Sequence, residues 1–115
     1  MYSAELLDHF EHPRNSGELP GATSRAQLEN PACGDILELA VTITDGRIAQ
    51  IRFRAKGCVA AMACASAVTE LAREKPVEQA RAIVEDDVVR AVGALPPASG
   101  HAAQLALDTL RAVLK

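Results

Sequence analysis

The chain has 115 residues, a formal charge of −3 and a pI near 5.6, and its Lys and Arg residues form no basic tract, which excludes a general electrostatic affinity for nucleic acid. The length suits one domain, read here as residues 1–115, with room for a real core. Hydrophobic residues make up 49%, yet aromatics are only 3% and Trp is absent, so the core must be built from Leu, Val, Ile and Ala, a mixture that packs helices closely.

Residues 2–12 place Tyr2, Leu6 and Phe10 at four-residue spacing with Leu7 beside them, one apolar stripe on a short helix that Pro13 stops. The same segment carries acids and histidines and no uninterrupted apolar stretch. It is therefore neither a signal peptide nor a membrane span, and a cytoplasmic protein is expected. His9 and His12, three apart and each four residues after an acid (Glu5, Asp8), could suggest a metal pair but read first as solvated ion-pair partners. Residues 14–21 have the Gly, Pro, Asn and Ser content of a loop, and a first strand follows over residues 22–29.

From Ile36 to Thr44 the pattern has period two: Leu37, Leu39, Val41 and Ile43 alternate with Glu38, Ala40, Thr42 and Thr44. Asp45-Gly46 favours a type I′ turn, and Arg47 to Lys56 then sets Ile51, Phe53 and Ala55 against Arg52, Arg54 and Lys56. Together they predict a β-hairpin. Residues 59–74 lose alternation, are Ala-rich, contain neither Gly nor Pro and end before Pro76, which predicts a helix. Two short helices are expected at residues 76–82 and 86–92, the second ended by Gly93, with Leu95-Pro96-Pro97 as an extended connector. The last helix, residues 101–114, sets Ala103, Leu107, Leu110 and Leu114 on one face to pack on the sheet. The order predicts an α+β fold, a small antiparallel sheet of about three strands against several helices.

Three cysteines are an odd number for a disulfide framework, and in a reducing compartment metal or thiol chemistry is the commoner reason for keeping them. Cys33-Gly34-Asp35 reads either as a plain turn with a packed thiol or as a thiolate and carboxylate that Gly34 allows to converge. Cys58 reads either as a buried structural thiol or as a thiolate favoured by the positive end of the following helix. Cys33 and Cys58 sit at the start of one hairpin strand and the end of the other, hence at the same edge. His101 is either a surface histidine near an N-cap such as Ser99 or a neutral imidazole ligand at a helix start. Two thiolates, a carboxylate and an imidazole make a four-ligand set suited to zinc, or to iron with bridging sulfide. Cys64 is six residues past Cys58, off its helical face, and reads as core.

His12-Pro13-Arg14-Asn15, Pro31-Ala32-Cys33-Gly34-Asp35, Lys56-Gly57-Cys58 and Leu95-Pro96-Pro97 followed by His101 occur in the order and at the spacing of the NifU/IscU family of iron–sulfur cluster assembly scaffolds, which the chain resembles along nearly its whole length. The resemblance implies a SufE/NifU-like α+β fold with Cys33, Asp35, Cys58 and His101 as ligands of Zn2+, Fe2+ or a transient [2Fe–2S] cluster. It also implies a cysteine desulfurase as sulfur source and acceptor apo-proteins as the destination of the cluster. The family's third cysteine directly follows the histidine, where this chain has Ala102. Ala98 and Ser99 stand where the chaperone-binding form of the motif has Val and Lys, so recognition by an Hsp70-type chaperone is not implied. The main expectation is a scaffold or carrier rather than an enzyme. The alternatives are a zinc-dependent persulfide acceptor and a docking module that has lost its cluster.

Overall fold

The structure, a computed structural model, describes residues 2–115. Its elements are α1 (Ala4–Glu11), β1 (Ser24–Glu29), β2 (Ile36–Thr44), β3 (Arg47–Lys56), α2 (Val59–Ala72), α3 (Val77–Arg81), α4 (Glu85–Ala91), a 3₁₀ turn (Pro97–Ser99) and α5 (Gly100–Val113). The three strands form one antiparallel sheet in the order β1-β2-β3, and the protein has the α+β architecture that the sequence predicts.

The hairpin matches its predicted bounds because both of its signals are local. Asp45 and Gly46 have φ of 53° and 76°, as a type I′ turn requires, and Leu37, Leu39, Val41, Ile51 and Phe53 all point into the core. One irregularity escapes the alternation. A register shift after Thr42 pairs it with Gln50 but Ile43 with Ile48, so Ile48 is buried on the same side as Ile51, three residues on.

α2 explains the alanine content. It is buried nearly all round, with Ala60, Ala61, Ala63, Ala65, Ala67 and Ala72 among its covered residues, and it packs against α1, α4, α5 and β3. Larger side chains would hold those neighbours farther away. α5 covers β1 and β2 and packs on α2. The predicted face of Ala103, Leu107, Leu110 and Leu114 is buried, and Ala102, Leu105, Ala106, Thr109 and Val113 join it, because α5 meets helix and sheet at once. The extended connector is shorter than predicted, since Pro97 opens the 3₁₀ turn.

α1 corrects the sequence in two respects. Its N-cap is Ser3, whose Oγ accepts the Leu6 N–H at 3.0 Å. Its inward face is Leu6 and His9 with Phe10 half-buried, whereas Leu7 and Tyr2 are 39% and 36% exposed. His9 is thus not the solvated residue predicted; it is 5% exposed. Its Nδ1 lies 2.8 Å from Ser66 Oγ and its Nε2 3.7 Å from Glu70 Oε1. The Arg14 N–H donates to the same Oγ at 2.9 Å.

Burial pulls the His9 pKa below its ordinary 6.5, and the Arg14 guanidinium adds to this against the opposing pull of Glu70 and Asp8. The unfolded chain therefore takes up this proton first. The His9 contribution is complete above pH 6.5 and is lost as pH falls from there toward the lower folded-state value. His9→Gln is expected to flatten the acid side of the stability curve as pH falls below 6.5, measured by urea unfolding at each pH. An unchanged slope would remove His9 as its source.

Candidate metal centre

The register pairs Ile36 with Lys56, so the residue before β2 and the segment after β3 emerge at the same end of the sheet. Asp35 and Gly57-Cys58 meet there. Gly57 is needed at this junction for space: a Cβ at position 57 would lie 2.3 Å from Asp35 Oδ1. Asp35, 4% exposed, uses that approach to bond with the start of α2. Its Oδ1 accepts the Cys58 N–H at 3.2 Å, and Oδ2 lies 3.5 Å from Cys58 Sγ. Cys58 is itself the N-cap of α2, its sulfur accepting the Ala61 N–H at 3.3 Å.

Cys33 is held on the tight loop joining β1 to β2. The Gly34 N–H donates to the Asn30 carbonyl at 2.7 Å, and Gly34 has φ 77°, a left-handed conformation that glycine adopts without steric cost. The fourth side chain comes from α5, whose first turn carries His101 with Nε2 3.5 Å from Asp35 Oδ2.

Donor atoms of Cys33, Asp35 and His101 lie within 4.8 Å of one another. Cys58 stands outside that trio but reaches it through Asp35. A tetrahedral zinc with bonds of about 2.0–2.3 Å spreads its ligands by about 3.3–3.8 Å. The two 3.5 Å contacts of Asp35 already have that spacing. Sulfur, oxygen and nitrogen donors of this kind suit zinc or iron rather than magnesium or calcium.

Burial raises the Asp35 pKa, but bonds from the Cys33 thiol, the Cys58 N–H and the Cys58 thiol, with the charge of His101, outweigh it and leave the carboxyl below its usual range. A backbone N–H at Asp35 lowers the Cys33 pKa. Loss of solvent, the Asp35 carboxylate and Cys58 together prevail and raise it. A metal arriving here thus meets a ready carboxylate and displaces a proton from Cys33. Cys64 is fully buried and is pushed up to about 12 by that burial and by Cys58, in accord with its reading as core. Ala102, next to His101, is 1% exposed.

The sequence singles out every side chain of this cluster. It gives no sign of the fit of Asp35 over Gly57, because that contact joins two strand ends 22 residues apart in the chain. Nor does it single out Asn30, for which the Asn-Pro dipeptide before a Gly was the available turn signal. Among the described residues no helix is long and apolar enough to cross a membrane.

The family model for the NifU-like N terminal domain matches residues 1–115. Iron-sulfur cluster assembly scaffold protein IscU 1 of Archaeoglobus fulgidus is 41% identical over 111 residues, covering 96% of this chain and 72% of that protein. The protein named IscU scaffold in Escherichia coli K12 is 35% identical over 117 residues, covering 98% and 91%. Among solved structures, the N-terminal part of a NifU-like protein from Brucella abortus superposes with a TM-score of 0.81 at 13% identity, covering 97% of this chain and 90% of its own. A Fervidobacterium islandicum protein, described as an iron–sulfur cluster assembly scaffold for the SUF system, gives 0.84 at 19%, covering 99% and 96%. At those identities the two structures bear on the fold alone.

Proposed function

Since the chain belongs to the NifU-like N-terminal domain family, we propose that it is an iron–sulfur cluster assembly scaffold, a carrier rather than a catalyst, which holds iron or zinc and a transient [2Fe–2S] cluster and passes it on. The observation that carries this reading is the convergence of Cys33, Asp35 and His101 within 4.8 Å at a surface edge, with the Cys58 sulfur 3.5 Å from Asp35. In this reading the four side chains are the ligands, a cysteine desulfurase supplies sulfur, and apo-proteins receive the cluster. Residues 1–115 act as one domain, since a single apolar core runs from Leu6 to Leu114.

Position 102 sets the character of the site. With Ala102 there, only two thiolates are offered, and the remaining donors are a carboxylate and an imidazole. Fewer thiolates hold iron less firmly, which suits cargo that is handed over.

The test is the iron, zinc and acid-labile sulfide content of protein purified without oxygen, with its absorption spectrum, alongside Cys58→Ala and His101→Ala. Iron and sulfide in the wild type, lost in both variants, are expected. Wild-type preparations with neither zinc nor iron, with and without oxygen, would overturn the proposal.

The exposure of Cys33 and Cys58 favours a second reading, a zinc-dependent persulfide acceptor. It calls for stoichiometric zinc without sulfide, and for stimulation of desulfurase turnover that disappears in Cys58→Ser.

A further inference from the structure

We propose that Asn30 is a positioning residue for the metal centre, holding the 31–34 loop in the shape that aims Cys33 and Asp35 at one point. The inference rests on the reading of those two residues as ligands. Every residue from 32 to 35 bonds to Asn30. Its N–H donates to the Asp35 carbonyl at 2.8 Å, and its own carbonyl accepts from Cys33 at 3.3 Å and Gly34 at 2.7 Å. Its side-chain Oδ1 accepts the Ala32 N–H at 3.0 Å.

The main-chain bonds close the loop whatever residue stands at 30. The side-chain bond does not, and it fixes the Pro31–Ala32 peptide from which Cys33 continues. This is an Asx turn: Asn and Asp make it, Ser makes a weaker version, and Ala makes none. Little else orders the loop, because Pro31, Ala32, Cys33 and Gly34 are all exposed and Cys33 lies outside the apolar core. Asn30 touches no donor atom of the trio through its side chain. It acts through the backbone, as groups behind metal ligands commonly do.

Asn30→Ala, Asn30→Asp and Asn30→Ser separate this role from a general structural one. Zinc affinity would be measured by competition with a chromophoric chelator, thiolate-to-cobalt absorption on Co2+ loading, and loop order by amide hydrogen exchange at Ala32 to Asp35. Asn30→Ala is expected to bind zinc about tenfold more weakly, with altered cobalt absorption, faster loop exchange and an unchanged melting temperature. Asn30→Asp and, in part, Asn30→Ser are expected to recover loop protection and the cobalt spectrum. Wild-type affinity and spectrum in Asn30→Ala, or equal losses in Ala and Asp, would overturn the proposal. If the wild type took up neither zinc nor cobalt, the ligand reading would fall. Loop exchange would still decide on Asn30, with unchanged protection in Asn30→Ala counting against it.

Discussion

Gly57→Ala is expected to deprive the protein of its metal while leaving it folded. The added methyl carbon would sit 2.3 Å from Oδ1 and 2.7 Å from Cγ of Asp35, inside any van der Waals contact. Although Asp35 is only 4% exposed, a clash that close forces its carboxyl to rotate away from position 57. Rotation breaks the 3.2 Å bond from the Cys58 N–H and the 3.5 Å contacts to Cys58 Sγ and His101 Nε2 together. The displaced carboxylate is itself one of the proposed ligands. Zinc affinity should fall at least about 100-fold. The apolar core is not touched, since Gly57 is exposed beyond the end of β3, and the melting temperature should drop by less than about 10 °C. Calorimetric zinc titration and a thermal melt of the same preparations check both statements. Wild-type zinc affinity in Gly57→Ala would show that Asp35 does not depend on the missing side chain.

Cys33→Ala and Cys64→Ala should have opposite effects. Cys33 is exposed on the loop, so its sulfur contributes nothing to the core. Its loss removes one of two thiolates and is expected to weaken zinc binding by about 10²–10⁴-fold, with the stability of the metal-free protein unchanged. Cys64 is fully buried in α2 and is held as a neutral thiol by its surroundings. Truncating it leaves a small cavity that should cost about 1–2 kcal/mol in urea unfolding while metal content stays the same. An alkylating reagent near neutral pH should modify Cys33 and spare Cys64 in the folded protein. Metal loss in Cys64→Ala would instead make Cys64 the substitute for the sulfur missing at position 102.

Elements whose cause is local were legible in the sequence. The hairpin needed only alternation and Asp45-Gly46, and its strands fall at Ile36–Thr44 and Arg47–Lys56 as predicted. α2 followed from its composition, and its start placed Cys58 at the cap. What the sequence concealed depends on partners distant in the chain. His9 looks like one more surface histidine until Ser66, 57 residues away, is brought against its ring. The inward turn of Ile48 depends on a register shift that no residue type announces. For the metal centre, the hairpin argument brought residues 33–35 and 58 to one edge. That α5 delivers His101 to the same point is a property of how α5 packs on β1 and β2, which periodicity does not encode.

The proposed ligands share one placement: a loop tip, the residue before a strand, a helix cap and the first turn of a helix. None lies in the middle of an element, and the apolar core of Leu39, Val41, Ile51, Val68 and Leu110 lies apart from them. Such ends open locally at far lower cost than the global unfolding free energy. Dwell time of the cargo and thermal endurance of the chain can therefore be set independently. In the proposed scaffold role, delivery would call for no more than a brief fraying of the 31–34 loop against the start of α5, after which the same molecule would be ready to load again.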